Sequence, residues 1–100
     1  MAVSIGTFIS ENLAAGKRQV AKTRNRGGYG AIYPATARAV LVAYPALTDS
    51  ERETVFATLT SDAREVEKTM KLHFSGALGS VSRILGIPRI RSKVQQTPVK

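Results

Sequence analysis

Apolar residues recur along this chain at helical spacing in two stretches, with a basic, polar segment after each. Ile5, Phe8, Ile9 and Leu13 share one helical face. They predict a short amphipathic helix near 4–15, with Gly16 as its stop. The segment 16–30, GKRQVAKTRNRGGYG, has one large aliphatic residue, Val20, and ends in glycines. It reads as an extended basic arm. Pro34 suits the first turn of a following helix, and the Ala-rich run 35–44 would form it, closed by Pro45. Val40, Leu41 and Val42 would also suit a buried strand, but no other stretch offers a strand partner, so helix is favoured.

The strongest pattern begins at Thr48. Thr48 and Glu51 have capping-box spacing, and Asp49, Glu51 and Glu53 crowd the positive end of the helix dipole. Val55, Leu59, Ala63, Val66, Met70, Phe74, Ala77 and Val81 then continue in steps of three and four. Thr58, Thr60 and Ser61 are poor helix formers, and Ser61 or Asp62 would cap a second helix. The stretch 49–85 is therefore one long helix or a helical hairpin broken near residue 60. Gly76 and Gly79 are further points for a kink or for close approach of another backbone. At its end, Gly86 suits a left-handed cap, Ile87 would fold back on Val81, and Pro88 forbids continuation.

The expected fold is mainly α: one small helical domain over residues 1–100, with a helical core at 48–86. A basic arm at 16–30 and a basic, extended tail at 87–100 flank that core. The chain has 100 residues and 43% hydrophobic content, but much of that is alanine, which adds little apolar area. Such a core predicts a chain that completes its burial on protein subunits of a larger assembly or on a copy of itself, a homo-oligomer. Val55, Leu59, Val66, Met70, Phe74 and Val81 are the expected protein-facing stripe.

Charge sharpens the picture. The formal net charge is +8. Residues 1–27 carry +4, residues 28–47 only Arg38, residues 48–72 carry −2, and residues 73–100 carry +5 with no acid. A solvated helix surface mixes signs, and both ends fail to do so. Lys17, Arg18, Lys22, Arg24 and Arg26 are candidates to neutralise phosphates, with Tyr29 and Tyr33 placed to stack on unpaired bases. In the tail, alternation in Arg89-Ile90-Arg91 puts both arginines on one side of an extended chain, and Lys93 follows. The partner these residues imply is nucleic acid or an acidic protein surface.

Other chemistries find little support. The chain has no cysteine and one histidine, which leaves no zinc site and no cysteine nucleophile. His73 lies beside the apolar stripe and reads as a core or interface residue. Gly27-Gly28-Tyr29-Gly30 is followed by no Gly-Lys-Ser/Thr and is not a phosphate loop. No cofactor, metal or catalytic function is expected. The N-terminal MAVSIGTFIS lacks the features of a signal peptide, which implies an intracellular or virion location. Residues 28–47 are too rich in Ala, Gly and Pro for a membrane span.

Leu47-Thr48-Asp49-Ser50-Glu51-Arg52, with Glu65-Val66 through Leu85-Gly86-Ile87, resembles the DNA-binding half of LuxR-type regulators. That resemblance implies a helix-turn-helix with a recognition helix near 75–85, in which Arg83 is the one strong base reader. The chain departs from the pattern at Glu67, where the family has a small buried residue, and at Lys71, where it has a turn glycine. The function expected first is a structural component of a nucleoprotein assembly, a virion or phage particle before a ribosome-type one. A helix-turn-helix regulator using residues 47–87 and a helical scaffold without nucleic acid are the alternatives.

Overall fold

The computed structural model describes residues 4–24 and 28–87, which form four helices: α1 Ile5–Thr23, α2 Tyr29–Ala43, α3 Asp49–Met70 and α4 Ser75–Leu85. The mainly helical class expected from the pattern is what the chain adopts. No strand occurs among the described residues, so 35–44 is helix.

Helix α1 starts where the Ser4 side chain accepts the Thr7 N–H at 3.1 Å. It does not stop at Gly16. It runs on to Thr23, through a segment the pattern assigned to an extended arm. Lys17, Arg18, Gln19 and Ala21 are good helix formers. Gly16 completes a stripe with Ile9, Leu13 and Val20, all three of which are buried. A Cβ at Gly16 would meet Ile32 Cγ2 of α2 at 2.9 Å. The glycine is thus a point of close approach between the two helices, and its role is packing.

Helix α2 begins five residues before Pro34, so the proline sits inside the helix and not in its first turn. An interior proline removes one helical hydrogen bond and costs up to roughly 3 kcal/mol. Burial of Ile32, Tyr33, Thr36, Ala37 and Val40 offsets that loss.

Helix α3 has the expected capping box. The Thr48 hydroxyl accepts the Glu51 N–H at 3.1 Å, and the Glu51 carboxylate accepts the Thr48 N–H at 2.8 Å. No break occurs near residue 60. The Thr54 and Thr58 hydroxyls donate to the carbonyls of Ser50 and Thr54 one turn back, so they are satisfied within the helix without breaking it. Val55, Phe56, Leu59 and Ala63 hold this stretch in the core. The break comes instead at 71–74, after Lys71 turns into the left-handed region with φ 56°. The Glu67 carboxylate then accepts the Phe74 N–H at 2.7 Å and turns the chain into α4.

Helix α4 ends as its sequence signals predicted. Gly86 has φ 69°, and the Ile87 N–H reaches the Ser82 carbonyl at 3.0 Å. The buried Ser82 hydroxyl donates to the Ile87 carbonyl at 3.1 Å, and Ile87 itself is buried.

The helices alternate in direction. Gly16 on Ile32 and Phe8 on Tyr44 make α1 and α2 antiparallel. The short 44–48 connection reverses the chain again, so α3 runs parallel to α1. Gly30 lies beside Phe74 and Ala77, and α4 follows α2 in the most extensive contact between any two helices. Helices α2 and α3 each touch all three others. Val55, Leu59, Phe74 and Val81 are buried in this shared interior, while Val66 packs half-buried against it and Met70 is half-buried. The stripe expected to face another protein is therefore the chain's own core. The reason is that α1 and α2 supply the apolar surface that residues 48–86 alone lack.

Candidate nucleic-acid interface

Two residues expected to bear on function, Lys17 and Tyr33, meet at Asp62. Asp62 on α3 accepts a hydrogen bond from Lys17 Nζ of α1 at 3.0 Å and from the Tyr33 hydroxyl of α2 at 2.7 Å. The Tyr33 side chain is fully buried, and its ring packs 5.6 Å from Phe74. Burial pushes the Tyr33 hydroxyl well above the usual tyrosine range, and the hydrogen bond to Asp62 pushes it further. Tyr33 is thus no base-stacking platform, and Lys17 already has a carboxylate partner. Together they tie three helices at one level.

That level sets the register of the cations beyond it. Helices α1 and α3 run parallel from the knot. At helical rise, Lys22 and Arg24 lie about 8 and about 10 Å past it, and Lys68 and Lys71 about 9 and about 13 Å. One end of the bundle therefore gathers Lys22, Arg24, Lys68 and Lys71, with Arg18 a little above. All five are exposed. None forms an ion pair with a carboxylate among the described residues. Residues 12–48 contain no acid at all, and the one acid of α1, Glu11, lies about three helical turns before Lys22. The nearest acids on α3 are Glu65, which is exposed, and Glu67, which faces Arg64 at 4.0 Å and the Phe74 N–H.

Lys68 and Lys71 were hidden from a linear reading because they sit in a segment of net negative charge. Only the return of α3 to the end of α1 brings them beside Lys22 and Arg24. Arg26 lies outside the described residues, as do Arg89, Arg91 and Lys93. Tyr29 is half-buried and packs against the core. His73 is exposed in the 71–74 connection and not within the core, because the chain turns out of the apolar stripe after Met70.

The opposite end differs in character. There Asp49 pairs with Arg52, Glu51 closes the capping box, and Val42 is 83% exposed beside exposed Pro45 and Ala46. The described chain leaves this end at Ile87. Among the described residues no group of three metal-ligating side chains occurs, and no helix is long and apolar enough to cross a membrane. The groove between α1 and α2 is lined by Asn12, Ala15, Gln19, Ala31 and Thr36, with no titratable side chain. As the supposed recognition helix, α4 turns Leu78, Val81, Ser82 and Leu85 inward and leaves Arg83 as its one exposed cation. Comparison of the chain with protein-family models, with curated proteins and with solved structures finds no match.

Proposed function

We propose that this chain is a non-enzymatic structural component of a nucleoprotein assembly, contacting the phosphate backbone through the basic end of its bundle. A virion particle is favoured over a ribosome-type one, because the positive charge is segregated and not spread over the whole chain. The reading rests on one observation: Arg18, Lys22, Arg24, Lys68 and Lys71 converge from two helices with no carboxylate partner. Cations held without internal partners keep their full capacity to displace counterions from a polyanion. The basic tail from residue 88 onward adds a second contact in this reading. The apolar surface at Val42, Pro45 and Ala46 is the place for a protein neighbour.

The test is binding of the purified chain to nucleic acid across a salt series. The Arg18→Gln/Lys22→Gln variant is expected to flatten the slope of log affinity against log salt by about 2, since each phosphate contact contributes about 0.9. Lys17→Gln is expected to leave the slope unchanged. An affinity that ignores salt sinks the proposal. Strong preference for one duplex sequence favours the regulator reading, and self-association without polyanion binding favours the scaffold.

A further inference from the structure

Three helices end in a residue with positive φ, and the choice of residue differs between the two ends of the bundle. At the apolar end the position is Gly86, with φ 69°. At the basic end the two positions are Arg24, φ 59°, and Lys71, φ 56°. Left-handed backbone is strained for residues with a Cβ and free of strain for glycine. The chain thus uses the unstrained residue at one end and tolerates strain twice at the other, each time with a cation. Cations complement a helix C-terminus, but Lys22 and Lys68 already do so within the last turns. The dipole therefore does not call for Arg24 or Lys71.

We propose that Arg24 and Lys71 form a two-point clamp for the backbone phosphates of double-stranded nucleic acid. This deepens the reading above and rests on it. Both residues are exposed, and they close α1 and α3, neighbouring helices that the Lys17–Asp62 pair joins. Packed helices lie about 8–10 Å apart, within reach of two long side chains converging on one backbone. The aromatic residues at this end select the duplex. Tyr33 and Phe74 are buried, and Tyr29 is half-buried against the core. Single-strand binders use exposed aromatic rings on which bases stack. Among the described residues at this end only the His73 ring is exposed, so the end reads phosphates and leaves bases alone.

The experiment uses the full chain and three probes: a short DNA duplex, the RNA duplex of the same sequence, and one DNA strand. The Arg24→Gly/Lys71→Gly variant is expected to melt at or above the parent temperature, since glycine relieves the strain. It is also expected to bind the duplex about tenfold or more weakly, with a salt slope flatter by about 2. An Arg24→Asn/Lys71→Asn variant repeats the test with side chains that tolerate the same backbone. Arg38→Gln/Arg83→Gln, which removes two exposed cations elsewhere, is the control and is expected to lose much less. The relative affinity for the two duplexes then identifies which one the end prefers. If the glycine pair binds like the parent, or the control pair loses as much, the clamp is wrong while Arg18 and Lys22 still carry the wider reading. Tighter binding of the single strand overturns the choice of duplex. A parent chain that binds no probe in a salt-dependent way overturns both.

Discussion

Asp62 receives a buried hydroxyl and a half-exposed ammonium, and the two contacts should differ in strength. In Asp62→Ala, the Tyr33 hydroxyl is left buried without a partner, which costs about 1–3 kcal/mol. Lys17 and Asp62 retain 34% and 28% side-chain exposure, so water screens their attraction. An ion pair of that kind contributes at most about 1 kcal/mol. The sum is about 1–4 kcal/mol, and at the middle of that range, about 2.5 kcal/mol, the midpoint should fall by about 10–20 °C at about 4–8 °C per kcal/mol for a domain of this size. A double-mutant cycle separates the two contacts. Tyr33→Phe with Asp62→Ala should show a coupling of about 1.5–3 kcal/mol, the range for a hydrogen bond to a charged group. Lys17→Gln with Asp62→Ala should show less than about 1 kcal/mol. The assay is reversible chemical denaturation with urea. A near-neutral Asp62→Ala, or a Lys17 coupling larger than the Tyr33 coupling, refutes the ranking and with it the claim that the knot is held chiefly by the buried tyrosine.

Further predictions follow from single contacts. Gly16→Ala gains about 1 kcal/mol of helix propensity but drives a methyl against the stiff, β-branched Ile32, at a cost of roughly 1–3 kcal/mol; a net loss in thermal midpoint is expected, and a more stable variant would deny the close approach. The Thr60 hydroxyl is buried without a partner among the described residues. Thr60→Val, of similar shape, should therefore raise stability by about 1 kcal/mol, read from the urea midpoint. Tyr33 keeps its proton in the folded state beyond the range where an unfolded tyrosine, at about 10, loses it. Its contribution is therefore fully present below about pH 10 and fades as pH rises above that value. In an alkaline titration followed by tyrosinate absorbance, one of the three tyrosines should ionise only together with unfolding, and Tyr33→Phe should abolish that coupled step.

The features that were legible in the sequence are those whose causes are local. The Thr48–Glu51 box and the Gly86–Ile87 stop each depend on residues within six positions, and both formed as read. Gly16 was opaque because its cause lies on another helix. A glycine in a polar stretch reads as a stop until Ile32 is known to sit where its Cβ would be. The break after Met70 was opaque for a different reason. Lys71 in a left-handed conformation carries no compositional signal, whereas Thr58, Thr60 and Ser61 carry a misleading one. The knot pairs residues 45 and 29 positions apart, and nothing near any of the three announces it. Its effect on the site is large, since it removes Lys17 and Tyr33 from the surface expected to bind nucleic acid. Net charge along the chain located half of the basic end and concealed the other half, because Lys68 and Lys71 share residues 48–72 with six acids, none of which forms an ion pair with them among the described residues.

The field at the basic end comes from side chains and not from helix dipoles. Alternation brings two helix C-termini, of α1 and α3, beside two N-termini, of α2 and α4. Each terminus acts as about half a charge, negative at the C-terminus and positive at the N-terminus, so the four nearly cancel at each end. The charge presented is then set by Lys22, Arg24, Lys68 and Lys71 at one end, and at the other by Glu51 and Glu53 together with the Asp49–Arg52 pair and Arg83. The bundle is electrically polar along its length, over the roughly 30 Å spanned by the 22 residues of α3. That separation exceeds the screening length of about 8 Å at physiological salt, so the two ends act independently. A polyanion attracts one end without being repelled by the other. In the proposed reading the basic end faces the polyanion, and the exposed Val42 surface lies at the far end, from which the described chain leaves at Ile87.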